Sequence, residues 1–156
     1  MFETIDSIAP ICASLHTKDK TIVLATGFFD LLHSEHIKFL QKAKSTGDIL
    51  VVAVESDERA RAIKGEGRPV ETQLVRCSKV AEYANYVIAL PPDFDHFEAY
   101  DSLMSAIRPN IYAVSAHTDH IKSKTFLVEK YGGKLVVVHD FNPNVSTTQL
   151  INSQMV

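Results

Sequence analysis

Ala25-Thr26-Gly27-Phe28-Phe29-Asp30-Leu31-Leu32-His33-Ser34-Glu35-His36 is the stretch whose reading decides the fold. It closes an apolar run, Thr21-Ile22-Val23-Leu24-Ala25, and leads into an amphipathic segment that opens with two histidines three positions apart. Apolar throughout, the run reads as a strand covered on both faces. A buried strand that passes through a glycine turn into a helix gathers backbone N–H groups and a positive dipole end at one point, which suits a phosphate. Side chains at i and i+3 share a helix face, so His33 and His36 look at that same point.

From there the chain alternates. Ile49–Val54, Tyr86–Leu90, Ile111–Val114 and Leu135–Val138 read as four further strands. Between them the spacing predicts helices from His33 to about Lys44, with Ile37, Leu40 and Ala43 inward, and from Thr72 to about Ala84, with Leu74, Cys77 and Ala81 on one side. A short helix capped by Ser56 or Asp57, helices over Phe94–Ile107 and 119–131, and a helix start at Ser146 complete the pattern. Gly47 suits a C-cap. Residues 1–20 form a helical lead-in, with Ile5, Ile8, Ile11, Cys12 and Leu15 at helical spacing and Pro10 interrupting. Strands alternating with helices predict an α/β chain, a Rossmann-like open five-stranded parallel sheet with helices on both faces. Ligands of such sheets bind beyond the C-terminal strand ends, where the chain order reverses. That rule puts Thr26–His36 beside the crevice.

At 156 residues, with 46% hydrophobic and 22% charged residues, residues 1–156 are expected to form one globular domain. A formal charge of −3 does not suggest a nucleic-acid partner, which usually shows as a basic domain. Cys12 and Cys77 lie in no metal spacing and read as reduced, small apolar residues. With no run long enough for a membrane span and no signal-peptide pattern, the expectation is a cytoplasmic protein with no membrane partner.

Three patches carry chemistry. The first is the Thr26-Gly27 turn with His33 and His36, fit to hold a nucleoside triphosphate and to place donors on an α-phosphate. Taken alone, His-x-x-His at a helix start more often marks ordinary capping residues, and no cysteine or spaced third histidine supports a metal. The second is basic: Arg59, Arg61, Lys64, Arg68 and Arg76. Lys64 and Arg68 lie in a glycine-flanked loop, and Arg76 is off the apolar stripe of its helix, free to bind phosphate bidentately. A solvated surface charge run explains the same residues equally well. The third is Asn142-Pro143-Asn144-Val145-Ser146-Thr147-Thr148, where hydroxyls and N–H groups at a helix start can face the crevice or simply cap. His117-Thr118-Asp119-His120 reads as a polar loop rather than a metal cluster.

Together these patches resemble the cytidylyltransferase-like nucleotidyltransferases, whose HxGH motif stands here as Gly27-Phe28-Phe29-Asp30-Leu31-Leu32-His33-Ser34-Glu35-His36. Within that family the chain is most similar to the adenylyltransferase domain of bacterial ADP-heptose synthases, over roughly residues 20–152, supported by Lys64–Val70, Arg76, and Gly132–Val138 running into Phe141 and Ser146-Thr147-Thr148. The resemblance implies transfer of a nucleoside monophosphate, AMP from ATP being favoured, to a phosphorylated small molecule, with Mg²⁺ and release of pyrophosphate. It assigns catalysis to His33, His36, Lys64 and Arg76. Nucleotide binding falls to Thr26, Gly27, Phe28, Phe29, Asp30, Ser146, Thr147 and Thr148, and substrate phosphate to Lys64 and Arg68. A cytidylyltransferase for a polyol phosphate and a nucleotide-binding protein without turnover are the alternatives. The family often dimerises, so a homodimer is an expectation that no residue pattern here fixes. No kinase domain is expected beside it. The chain departs from the pattern at four places. Glu35 replaces the motif glycine. Leu74 replaces an acidic residue, and Phe141 an arginine before Ser-Thr. Ser115-Ala116-His117-Thr118 takes the place of a Lys-Gly-Gly-Asp-like turn.

Overall fold

The structure, a computed structural model, describes residues 2–140 and 145–154. Five strands, β1 (Ile22–Gly27), β2 (Ile49–Val54), β3 (Tyr86–Ala89), β4 (Ile111–Ser115) and β5 (Lys134–His139), form one parallel sheet in the order β3-β2-β1-β4-β5. The chain moves from β1 to one side through β2 and β3, then returns to the other side of β1 for β4 and β5. The reversal lies between β1 and β4, beyond whose C-terminal ends a crevice opens.

Seven helices are described: α1 (Ile5–Thr17), α2 (Ser34–Ser45), α3 (Asp57–Lys64), α4 (Gln73–Val80), α5 (Phe97–Ile107), α6 (Ile121–Lys130) and α7 (Thr147–Gln154). Side chains of β1 alternate between two cores. Ile22 and Leu24 pack with Ile8 and Cys12 of α1, Met104 and Ile107 of α5, and Leu127 and Val128 of α6. Val23 and Ala25 pack with Phe39 and Leu40 of α2 and with Cys77 and Val80 of α4. Both faces of the sheet are covered, which is why β1 and β2 read as continuous apolar runs.

Several sequence expectations change in detail. The lead-in is a full helix capped by Thr4, with Pro10 inside it, and it buries Ile8 and Cys12. The residue that caps α2 at its C-terminus is Thr46 rather than Gly47. A Cβ on Gly47 would lie 2.7 Å from Val23 Cγ2, so that glycine serves close packing instead. Helix α4 is shorter than expected and turned: Arg76, Cys77 and Val80 are its buried residues, whereas Leu74 is 65% exposed. At the sheet edge β5 is only partly covered, with Val137 half exposed. No helix among the described residues is long and apolar enough to cross a membrane.

Candidate active site

Between Gly27 and α2 the chain makes a tight turn in which Phe29 (φ 54°) and Leu31 (φ 49°) both adopt left-handed backbone. Each such residue costs about 1–3 kcal/mol and persists only where its surroundings over-determine it. They do so here. Arg76 donates to the Phe28 carbonyl at 2.7 Å, and the Glu71 carboxylate accepts from the Leu31 N–H at 3.1 Å. The Asp30 carboxylate accepts from the N–H groups of Val70 (2.9 Å) and Glu71 (3.1 Å) and from Arg68 Nε (3.3 Å). Thr147 donates its hydroxyl to the Asp30 carbonyl at 2.6 Å, and an Arg68 terminal nitrogen donates to the Thr148 hydroxyl at 3.3 Å. The three sequence patches therefore meet at Asp30. At Gly27 a Cβ would press on the Phe29 ring at 3.0 Å, which explains glycine there.

His33 is the N-cap of α2. Its Nδ1 accepts from the N–H groups of Glu35 (3.2 Å) and His36 (3.4 Å), while His36 Nδ1 accepts from the His33 N–H (3.3 Å). This is a capping box built from two imidazoles. Because both Nδ1 atoms accept, both rings carry their proton on Nε2. The rings stack with centroids 3.7 Å apart and planes 15° apart. Each Nε2–H lies across its ring from the capped backbone, so the pair presents two donors side by side. Burial, followed by the nearby His33 and Lys64, pushes His36 down to about 3 despite the opposing Asp30 carboxylate. Burial also lowers His33, against the pull of Glu35. The cap is what fixes the tautomers of both rings.

An open cavity of about 220 Å³ lies over the ends of β1, β4 and β5, its wall formed by Thr26, Gly27, Phe28, Phe29, Glu35, His36 and Phe39 on one side and Ala113–Ser115, Thr118, Lys124 and His139 on the other. Lys64, outside that wall, holds its Nζ 5.4 Å from the centre of the Phe28 ring, which belongs to it. Partial desolvation and the neighbouring Arg68 bring the Lys64 pKa below its ordinary value. The Thr26 hydroxyl is paired with the buried Tyr112 hydroxyl at 2.7 Å.

The sequence-selected residues fall into two groups. Thr26, Gly27, Phe28, Phe29 and His36 line the cavity; Asp30, Arg68, Thr147 and Thr148 form the clasp beside it, and His33 caps α2 against His36. Ser146 directly precedes α7 and accepts the Leu150 N–H at its carbonyl. Arg76 departs from its expected role. Its guanidinium is fully buried and spends its donors on Glu71 O, Phe28 O and Asp57 Oδ1 (2.7 Å), so it shapes the turn instead of reaching a phosphate. Phe141 and Asn142–Asn144, on which part of the third patch rested, lie outside the described residues.

Lys124 and His139 were missed. Lys124 Nζ donates to the Thr118 hydroxyl at 2.5 Å, and burial lowers its pKa despite Asp119 and Glu55. The available signal for His139 was position: it directly follows the apolar run of β5, at a C-terminal strand end. His117 and His120 are exposed. Among the described residues no group of three His, Cys, Asp or Glu side chains could hold a metal ion. Glu35 in the cavity wall and Asp30 beside it already accept from protein donors, and this pair does not fit a protein-held Mg²⁺.

Switch-point cavity, strained turn and capped histidine pair lie together at the C-terminal end of the parallel sheet. The chain belongs to the cytidylyltransferase-like family, whose model matches residues 24–153. It is 35% identical over 149 residues to the bifunctional protein HldE of Pelobacter propionicus, an alignment covering 94% of this chain and 29% of that protein. Against HldE of Desulfatibacillum aliphaticivorans it is 33% identical over 142 residues, covering 88% and 28%. The chain thus spans under a third of the length of these curated relatives. Among solved structures, the lipopolysaccharide core biosynthesis protein of Thermoplasma volcanium superposes with a TM-score of 0.62 at 25% identity, covering 79% of this chain and 98% of that one.

Proposed function

We propose that this chain is an adenylyltransferase that transfers AMP from ATP to a phosphorylated small molecule such as a sugar phosphate and releases pyrophosphate. The observation that carries the reading is the stacked pair His33 and His36, held as neutral Nε2–H donors beside a switch-point cavity, with Lys64 over the Phe28 ring of its wall. An acceptor phosphate oxygen attacks the α-phosphorus, and the bond from that phosphorus to the bridging oxygen of the β-phosphate breaks. Charge builds on the α-phosphate oxygens and on the departing pyrophosphate. Preorganised donors facing those oxygens lower the barrier without taking part in bond making. Neutral histidines suit that task, since the transfer needs charge stabilisation rather than a nucleophile. Lys64 adds positive charge on the phosphate side. Magnesium, when present, would arrive on the triphosphate and offset phosphate charge there, held by the substrate's own oxygens and water.

The test is pyrophosphate release with ATP and CTP against a panel of phosphorylated sugars and polyols. Turnover with ATP and a sugar phosphate is expected. Turnover with CTP alone would replace the adenylyl reading, and tight nucleotide binding with no turnover for any acceptor would replace the enzyme reading.

A further inference from the structure

Lys124 is the only lysine or arginine in the cavity wall, and the transfer chemistry above gives it no task. It lies in the first turn of α6, three and four residues before Leu127 and Val128, which are buried. Residues at those spacings share a helix face, so the lysine carries the inward stripe of α6 into the cavity wall. Nothing about the position favours a cation. The helix dipole is positive at this end, and a half-buried ammonium has lost part of its hydration.

Its neighbours do not neutralise it. Nζ donates to the hydroxyl of Thr118 at 2.5 Å, an uncharged acceptor that also lines the cavity. Burial lowers its pKa, although Asp119 and Glu55 pull the other way. Among the described residues neither carboxylate forms an ion pair with it. Glu55 accepts from the Tyr100 hydroxyl at 2.5 Å and lies 3.8 Å from Arg59 Nε, and Asp119 is exposed. Lys38, Lys79 and Lys130, by contrast, each meet a carboxylate. The one carboxylate of the wall, Glu35, is engaged by Lys38 and His139. Thr118 takes one of the three N–H donors of the ammonium, and among the described residues the other two are left for a ligand.

A cation placed in this way is matched by an anion brought into the cavity. The proposed transfer brings two phosphate-bearing molecules, the triphosphate and the acceptor. Attacking and leaving oxygens stand roughly in line across the α-phosphorus, so the acceptor phosphate and the departing pyrophosphate lie on different sides of it. One ammonium cannot serve both. Lys64 stands outside the wall and Lys124 within it, which gives two separate positions for the two charges.

We propose that Lys124 is a phosphate-binding residue of this cavity, its ammonium donating to a phosphate oxygen of one of the two substrates. The proposal rests on the nucleotidyltransferase reading above. The probes are the magnesium complex of α,β-methylene-ATP, whose α–β bridge cannot be broken, and inorganic phosphate added to the chain saturated with that analogue. Calorimetry compares the wild type with Lys124→Met, which keeps the stem without the charge, and with Lys124→Arg, which keeps the charge. Lys124→Met should lose about tenfold or more in affinity for one probe, and Lys124→Arg should recover most of that loss. Loss on the analogue puts the ammonium on the nucleotide's phosphates, and loss on inorganic phosphate puts it on the acceptor's. The urea midpoint of Lys124→Met should stay level or rise, because an unpaired, partly desolvated charge is removed. A merely structural lysine would lower the midpoint and leave both affinities alone. Equal analogue affinities in wild type and Lys124→Met, with inorganic phosphate bound no better by the wild type, overturn the proposal while leaving nucleotidyl transfer standing. Equal losses in Lys124→Met and Lys124→Arg overturn it too, by assigning the effect to packing. If the wild type binds no analogue, the nucleotidyltransferase reading itself fails, and inorganic phosphate titrated onto the free chain decides the role of Lys124.

Discussion

The hydroxyl of Thr147 donates to the backbone carbonyl of Asp30 at 2.6 Å, joining residues 117 apart in sequence. The carboxylate of the same Asp30 holds Val70, Glu71 and Arg68. One residue thus fastens α7 and the basic loop to the turn that precedes the histidine pair. Removing the carboxylate leaves two backbone N–H groups and a guanidinium without their partner, so Asp30→Ala should lose about 2–4 kcal/mol. Thr147→Val removes one neutral bond and should lose about 1 kcal/mol. Urea denaturation gives both values. Hydrogen exchange at Val70 and Glu71 should accelerate in Asp30→Ala but not in Thr147→Val; equal protection in both would mean the loop is held by something else.

The histidine pair makes stability pH-dependent with a definite sign. His36 sits at about 3 when folded against an ordinary value of 6.5, so the unfolded chain binds more protons between those values. Stability from this group is complete above pH 6.5 and declines as the pH falls toward 3, at up to about 1.4 kcal/mol per pH unit. His33 is lowered by the same cause and adds to the decline. Urea midpoints at pH 7.5 and 5.0 should separate the wild type from His36→Asn, which carries no titrating ring and should lose less on acidification. Equal losses would show that His36 is not held neutral by the fold.

Arg76 offers a different check. Its three hydrogen bonds run to Glu71 O, Phe28 O and Asp57, two of them to backbone carbonyls. Lysine keeps the charge but cannot reproduce the planar fork. Arg76→Lys should therefore cost about 2–3 kcal/mol, because at least one buried carbonyl loses its donor. Since the guanidinium lies outside the cavity wall, nucleotide affinity measured well below the melting temperature should fall only as far as the turn loosens. Selective loss of affinity with unchanged stability would instead place Arg76 on the phosphate.

How much of this was legible beforehand follows from the kind of signal involved. Uninterrupted apolar strands such as Ile49–Val54 and the glycine turn after Ala25 are local patterns, and they gave the parallel sheet and the place of the crevice. Arg76 misled because periodicity alone cannot distinguish an exposed cation from one buried against carbonyls 48 residues away. Leu74 misled for the matching reason: an apolar residue near the stripe of a short helix was assigned to the interior that Arg76 occupies. His139 and Lys124 were invisible because their relevance depends on which strand ends lie side by side, and β4–β5 pairing is a tertiary fact. The direction of the Glu35 carboxylate likewise needed the end of β5 in place, since its partner is 104 residues away.

The most direct test of the transfer chemistry is His36→Ala. Its Nε2–H is one of two side-by-side donors, and its Nδ1 also closes the capping box with the His33 N–H. Loss of one preorganised donor to transition-state charge typically lowers kcat by about 10²–10³. Because that charge is only partly developed in the bound nucleotide, KM for ATP should change far less than kcat. Part of any effect could come from the lost cap, so His36→Asn serves as the control: asparagine can accept at the same helix start but places no donor where the imidazole Nε2–H lies. Both variants should share the fall in kcat, whereas only His36→Ala should lose the additional 1 kcal/mol or so of stability expected from an uncapped N–H. Full activity in His36→Ala would mean that the stacked pair is a cap and nothing more.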